Sequence, residues 1–154
     1  LSIIFDIEHP KQGAAVTSEE RRAWIEGIVA VVTYIGYAIA VLTQASDRPL
    51  TEAPYIAPMF WAIGISIVLS IVVGIAASIG RSSKVDQRDR EIYRLGQFLG
   101  QGWIVLAGVG ALLLAMVEAD YFWIANVIYL GFTLWAITSC IARVVAYRGG
   151  FQSW

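Results

Sequence analysis

Four long apolar runs, with most of the charge confined to the short segments between them, leave this chain few ways to fold. The runs cover about residues 23–43, 57–79, 95–117 and 121–145. Each meets the ~20 residues that a helix needs to cross a hydrocarbon core of ~30 Å at ~1.5 Å per residue. In lipid no water is present to satisfy backbone N–H and C=O groups, so a spanning segment that is not part of a barrel must be a helix. The expected fold class is therefore all-α, an integral membrane four-helix bundle. Composition agrees: 58% of the 154 residues are hydrophobic and 15% charged, against about 25% charged in an ordinary soluble domain.

Local signals place the helix ends. Thr17 and Glu20 have capping-box spacing, with Glu19 and Glu20 where the helix dipole favours acids. Residues 44–56 hold Pro49 and Pro54 and read as a loop, and Pro58 suits the first turn of the second helix. Asp86 is the expected N-cap of a third helix that begins at Gln87 and enters the bilayer near Leu95. The link Glu118-Ala119-Asp120 is so short that the third and fourth spans must form an antiparallel hairpin, and Gly149-Gly150 ends the last helix. The domain organisation is a tail, residues 1–16, followed by a bundle over 17–151. In the tail Ile3, Ile4, Phe5 and Ile7 form an apolar patch too short to span, interrupted by Pro10 and Gly13. It either lies on the membrane surface, docks on a partner or is disordered. The start has no basic region followed by a long apolar stretch, so no cleavable leader is expected there.

Lysine and arginine give the orientation. Of 11 such residues, Arg48 alone falls on the side of the 44–56 loop. The rest lie with the N-terminus, the middle loop and the C-terminus, which the positive-inside rule puts in the cytoplasm. The expected location is a bacterial cytoplasmic (inner) membrane, multi-pass. Tyr121, Phe122 and Trp123, with Tyr55, Phe60 and Trp61, would form the outer aromatic belt.

Candidate functional residues fall into three groups. Ala62, Ser66, Ser70, Gly74 and Ser78 recur every four residues along the second helix, and Gly96 and Gly100 do so in the third. Small residues at this spacing let another backbone approach closely, either within the bundle or from another subunit. The second group is polar and lies within the spans. Glu26 sits about one turn into the first helix, with Arg22 four residues before it; Thr33 and Tyr37 continue its face. Glu26 is either an interfacial acid paired with Arg22 or a proton or cation site. Gln97 and Gln101 lie one turn apart, and their amides need partners, either on other helices or in a ligand or water cavity. Asn126 and Thr133 are the matching polar residues of the fourth helix. The third group is the middle-loop stretch Asp86-Gln87-Arg88-Asp89-Arg90-Glu91, whose mixed charges either pair along a solvated helix or dock a cytoplasmic partner through Arg88, Asp89 and Arg90. Basic residues there could also meet anionic lipid heads.

No phosphate loop, nucleophile elbow, His/Cys pair or HExxH stands in the chain. The lone Cys140 reads as a small buried hydrophobe, and with the lone His9 it cannot make a Cys/His zinc set or a two-histidine haem site. The expectation is a non-enzyme with no cofactor and no direct nucleic-acid partner.

The motifs D-Q-R-D-R-E-I at Asp86–Ile92, F-W-I-A-N at Phe122–Asn126 and Y-R-G-G-F at Tyr147–Phe151, with E-E-R-R-A-W at Glu19–Trp24, resemble a group of uncharacterised small actinobacterial membrane proteins with four predicted spans. That group typically reads D-E-R-D where this chain has Gln87. The resemblance covers residues 17–151 and implies membrane location and a four-helix bundle, with no activity to carry over.

Three functions follow as expectations. The first is an accessory or interaction subunit, embedded in the lipid bilayer and packing against another membrane subunit or itself through the small faces of the second and third helices. The second is a small proton-coupled transporter using Glu26. The third is a membrane anchor or sensor for a cytoplasmic regulator, acting through residues 81–94.

Overall fold

The computed structural model describes residues 18–46, 48–79 and 87–149. The tail, the Thr17 and Asp86 caps, the basic segment 81–86, the side chain of Ser78, and Gly150 with the residues after it lie outside the described residues. Four helices account for nearly all the rest: α1 Ser18–Gln44, α2 Ile56–Ile79, α3 Gln87–Met116 and α4 Tyr121–Arg148. All four are long and apolar enough to cross a membrane, the shortest qualifying stretch being 21 residues. Their outward surfaces suit lipid: Phe60 is 74% exposed, Phe98 75% and Leu106 63%. Such residues in water would make the apolar patch that soluble monomers avoid.

The helices pack in the order α2, α1, α4, α3, with extensive contact only between neighbours in that order. Thus α2 and α3 stand at the two ends, each with one extensive neighbour. Among its described residues α2 buries Ala62 alone. The 44–56 loop folds over one end. After Pro49 a 3-10 turn, Leu50–Glu52, packs on α4 and buries Ala53. Tyr55 meets Phe122 edge-on at 5.1 Å between ring centroids.

Glycines set the close approaches along α4. A Cβ on Gly27 of α1 would stand 2.5 Å from Cys140 Sγ, and one on Gly131 would collide with the Ala107 methyl of α3. Here α1 and α3 come near enough to α4 for backbone to touch side chain, as packing in lipid favours.

The turn between α3 and α4 is built by backbone rather than by sequence signature. Ala119 N–H donates to Leu114 O at 2.9 Å and Glu118 N–H to Ala115 O at 3.2 Å, the paired bonds of a Schellman end. The motif puts Glu118 in the left-handed region, at φ 55°. Asp120 then caps α4, accepting from Phe122 N–H at 2.9 Å. A glutamate in left-handed backbone is strained where glycine is not, so Glu118→Gly is expected to stabilise the chain by about 1 kcal/mol. Thermal unfolding of the two proteins checks this, and an unchanged or lower midpoint for the variant refutes it. At the far end of α4, Gly149 has φ −80° and its N–H donates to Val145 O at 2.7 Å.

Candidate functional site

Charged side chains gather where the start of α1, the start of α3 and the end of α4 meet. Arg22 and Glu26 are one turn apart on α1, and Arg22 Nε donates to Glu26 Oε1 at 2.9 Å. The pairing expected from their spacing is half of what Glu26 does. Its other oxygen, Oε2, lies 2.7 Å from Arg143 Nη2 of α4. Contact between Gly27 and Cys140 sets this crossing: one residue before Gly27 on α1 and three after Cys140 on α4 stand the acid and the guanidinium.

Arg143 is 6% exposed, and everything around it serves its charge. Its Nε donates to Ser139 O at 3.1 Å. Its guanidinium carbon lies 5.6 Å from the centroid of the Tyr93 ring of α3, a cation–π contact. Gly96 of α3 leaves room for its stem, since a Cβ there would stand 2.8 Å from Arg143 Cγ. Ser139 Oγ in turn donates to Gly96 O at 2.9 Å. One arginine of α4 therefore holds α1 through Glu26 and α3 through Tyr93.

Two further ties flank it. Arg148 Nε donates to Glu20 Oε1 at 2.7 Å and lies over the Trp24 ring at 5.9 Å. Its side chain is 62% exposed while that of Glu20 is 9% exposed, so a solvent-facing guanidinium holds a buried carboxylate. Tyr147 Oη donates to Asp89 Oδ1 at 3.0 Å, joining the end of α4 to the first turn of α3. Arg143, Tyr147 and Arg148 belong to this cluster and are candidate-site residues that sequence reasoning missed. The signal was present: an arginine inside a spanning run needs an anion, and Glu26 is the acid at matching depth.

The remaining polar candidates do not join Glu26. Tyr37 Oη donates to Asn126 Oδ1 at 2.7 Å, and Asn126 Nδ2 donates to Phe122 O at 2.8 Å, tying α1 to α4 near the other end. Between Tyr37 and Glu26 on α1, Thr33 bonds its own helix, donating to Val29 O at 2.7 Å. Thr133 is buried and likewise donates to Tyr129 O at 3.0 Å. Tyr34, Tyr37 and Tyr129 cluster, with Tyr37 and Tyr129 edge-on at 5.2 Å. Tyr129 Oη is buried without a hydrogen bond among the described residues. Thr33 is near it, but the two hydroxyls make no hydrogen bond. Asn126→Leu leaves Tyr37 Oη without its acceptor and is expected to cost about 1 kcal/mol. Thermal unfolding in detergent checks it, and a loss restored by adding Tyr37→Phe assigns the cost to this bond.

The glutamines differ from expectation. Gln101 is exposed, Gln97 is half-buried, and neither makes a hydrogen bond among the described residues. The reason is angular. Gly100 faces α4, and Gln101, about 100° round the helix, looks outward. Of the small residues, Gly96 and Gly100 are buried against Ser139, Arg143 and Trp135 of α4. Ala62 is buried in a cluster with Tyr37, Val41, Phe122 and Tyr129. Ser66 and Gly74 are half-buried and Ser70 is exposed. Of the middle-loop residues, Arg88 and Arg90 are exposed, while Asp89 is bound to Tyr147. Comparison with family models, curated proteins and solved structures finds no match, so the actinobacterial resemblance stands on its quoted motifs alone.

Proposed function

We propose that the chain is a small non-enzymatic packing subunit of a bacterial cytoplasmic membrane, with α2 as the helix that meets its partner, a second membrane protein or another copy. The observation that carries this reading is the position of α2. It stands at one end of the helix order, packs extensively on α1 alone, and buries only Ala62 among its described residues. Of the small-residue stripe that begins at Ala62, Ser70 is exposed, while Ser66 and Gly74 on either side of it are half-buried, Gly74 beside Arg22 of α1. Gly96 and Gly100, by contrast, are already occupied by α4 and are not available to a partner.

Glu26 weighs against proton-coupled transport. Both of its oxygens are engaged by arginines, one on α1 and one on α4, so it serves as a tie between helices rather than lining an open path. Its role in this reading is to clamp α1 to α4 through Arg143. Extraction of the chain from its native membrane into polymer discs, followed by native mass spectrometry, tests the proposal. The expected result is an assembly of fixed stoichiometry that Ser70→Phe disperses. A monodisperse, partnerless chain overturns it.

A further inference from the structure

We propose that the outward ridge of α3, with the groove beside it, holds one anionic phospholipid. Arg90 and Arg94 would take the phosphate, Gln97 and Gln101 the ester oxygens, and the groove at Gly108 an acyl chain. This inference concerns α3 and is independent of the partner surface on α2.

At ~100° per residue, Arg90, Arg94, Gln97, Gln101 and Gly108 fall within about 60° of one another on the helix. All are exposed except Gln97, which is half-buried. They form a single ridge, basic at its start, amide in the middle and open at its end. The carboxylates nearby are engaged elsewhere: Glu20 with Arg148, Glu26 with Arg22 and Arg143, Asp89 with Tyr147. Glu91 lies about 100° round the helix from Arg90 and about 60° from Arg94 and, like both arginines, makes no ion pair among the described residues. Two guanidinium groups at a membrane surface, in no ion pair among the described residues, complement an anionic headgroup.

The spacing fits a lipid. Counting back ~30 Å of hydrocarbon from Val117, at the far end of α3, puts the near boundary close to Gln97. Arg90 and Arg94 then stand at headgroup level, and the two amides flank the ester region with donors that lipid oxygens can accept. From Gln97 to Gly108 is about 16 Å, one leaflet of hydrocarbon. There an apolar groove of about 150 Å³ opens between α3 and α4, lined by Ile104, Ala107, Gly108, Ile128 and Phe132. A Cβ on Gly108 meets nothing within 4 Å, so this edge of the groove is open and a leucine there would add bulk beside it.

The test uses the full chain purified in detergent, titrated with phosphatidylglycerol or phosphatidylcholine of matched acyl chains and read by native mass spectrometry. The expected result is one phosphatidylglycerol retained per chain in preference to phosphatidylcholine. Arg90→Gln with Arg94→Gln should weaken retention about 30-fold, from two guanidinium contributions. Gly108→Leu should weaken it with charge unchanged; Arg90→Gln alone should also weaken it, and Arg88→Gln, the same single-charge loss off the ridge, should not. Equal loss from Arg88→Gln, full retention by Gly108→Leu, or equal binding of both lipids overturns the proposal. So does a lipid-free dimer that Gly108→Leu separates, which would assign the ridge to a second copy.

Discussion

Glu26→Ala is expected to lower the unfolding free energy by about 3–5 kcal/mol, the cost of leaving a buried charge without its counter-ion. The charge at issue is Arg143, 6% exposed and 2.7 Å from Glu26 Oε2. Its other partners, the Ser139 carbonyl and the face of Tyr93, are dipolar or quadrupolar and cannot neutralise it. Glu26→Gln keeps an acceptor and should cost less. Arg22→Gln should cost under about 1 kcal/mol, because the Arg22 side chain is 30% exposed and reaches water without Glu26.

The decisive comparison is a double replacement. Removing both members of a buried ion pair for apolar groups of similar volume is often close to neutral. Glu26→Leu with Arg143→Met should therefore recover most of what Glu26→Ala loses. Reversible unfolding in mixed micelles of the wild type, the single variants and the pair measures the coupling. If the double variant is as unstable as Glu26→Ala, the charge is not what makes the site costly to break. If it is also inert in every assay of assembly, the clamp serves stability alone.

The unequal legibility of the fold has a physical cause. Spanning length and apolarity are properties of a contiguous run, so the four helices could be read from the sequence. The α3–α4 hairpin followed from a three-residue link that allows nothing else. Which helix lies beside which is a property of the whole chain. Glu26 and Arg143, 117 positions apart in the sequence, share a depth that the sequence shows, but only the packing of α1 on α4 makes them partners, and spacing alone gives the acid its i−4 arginine. The glutamines failed differently. Spacing put Gln97 and Gln101 on one face, as the structure has them, but could not say that the glycines beside them, one residue earlier, were the face turned to α4. Glu118 gave no signal at all: the left-handed turn position usually announces itself as glycine, and here the backbone bonds of the Schellman end hold a glutamate there.

Two alanine substitutions two residues apart on α3 should move stability in opposite directions. A Cβ on Gly100 would stand 2.5 Å from Ser139 Oγ, 2.6 Å from Trp135 Cδ1 and 2.8 Å from Trp135 O. The last is backbone, so a rotamer change in α4 cannot relieve it; the helices must separate where they pack most closely. Gly100→Ala is expected to cost about 2–3 kcal/mol by overpacking. Separation there would also disturb the neighbouring bond from Ser139 to Gly96 O and, through Ser139, the carbonyl that accepts from Arg143. At Gly102 the same methyl meets nothing within 4 Å, and alanine removes the conformational freedom that makes glycine a poor helix former. Gly102→Ala should therefore stabilise by up to about 1 kcal/mol. Unfolding midpoints of the two variants in one detergent settle the matter, since composition, helix and chemical change are the same and only the direction the new methyl faces differs. Equal shifts for both would mean that α3 does not contact α4 through the Gly96–Gly100 face.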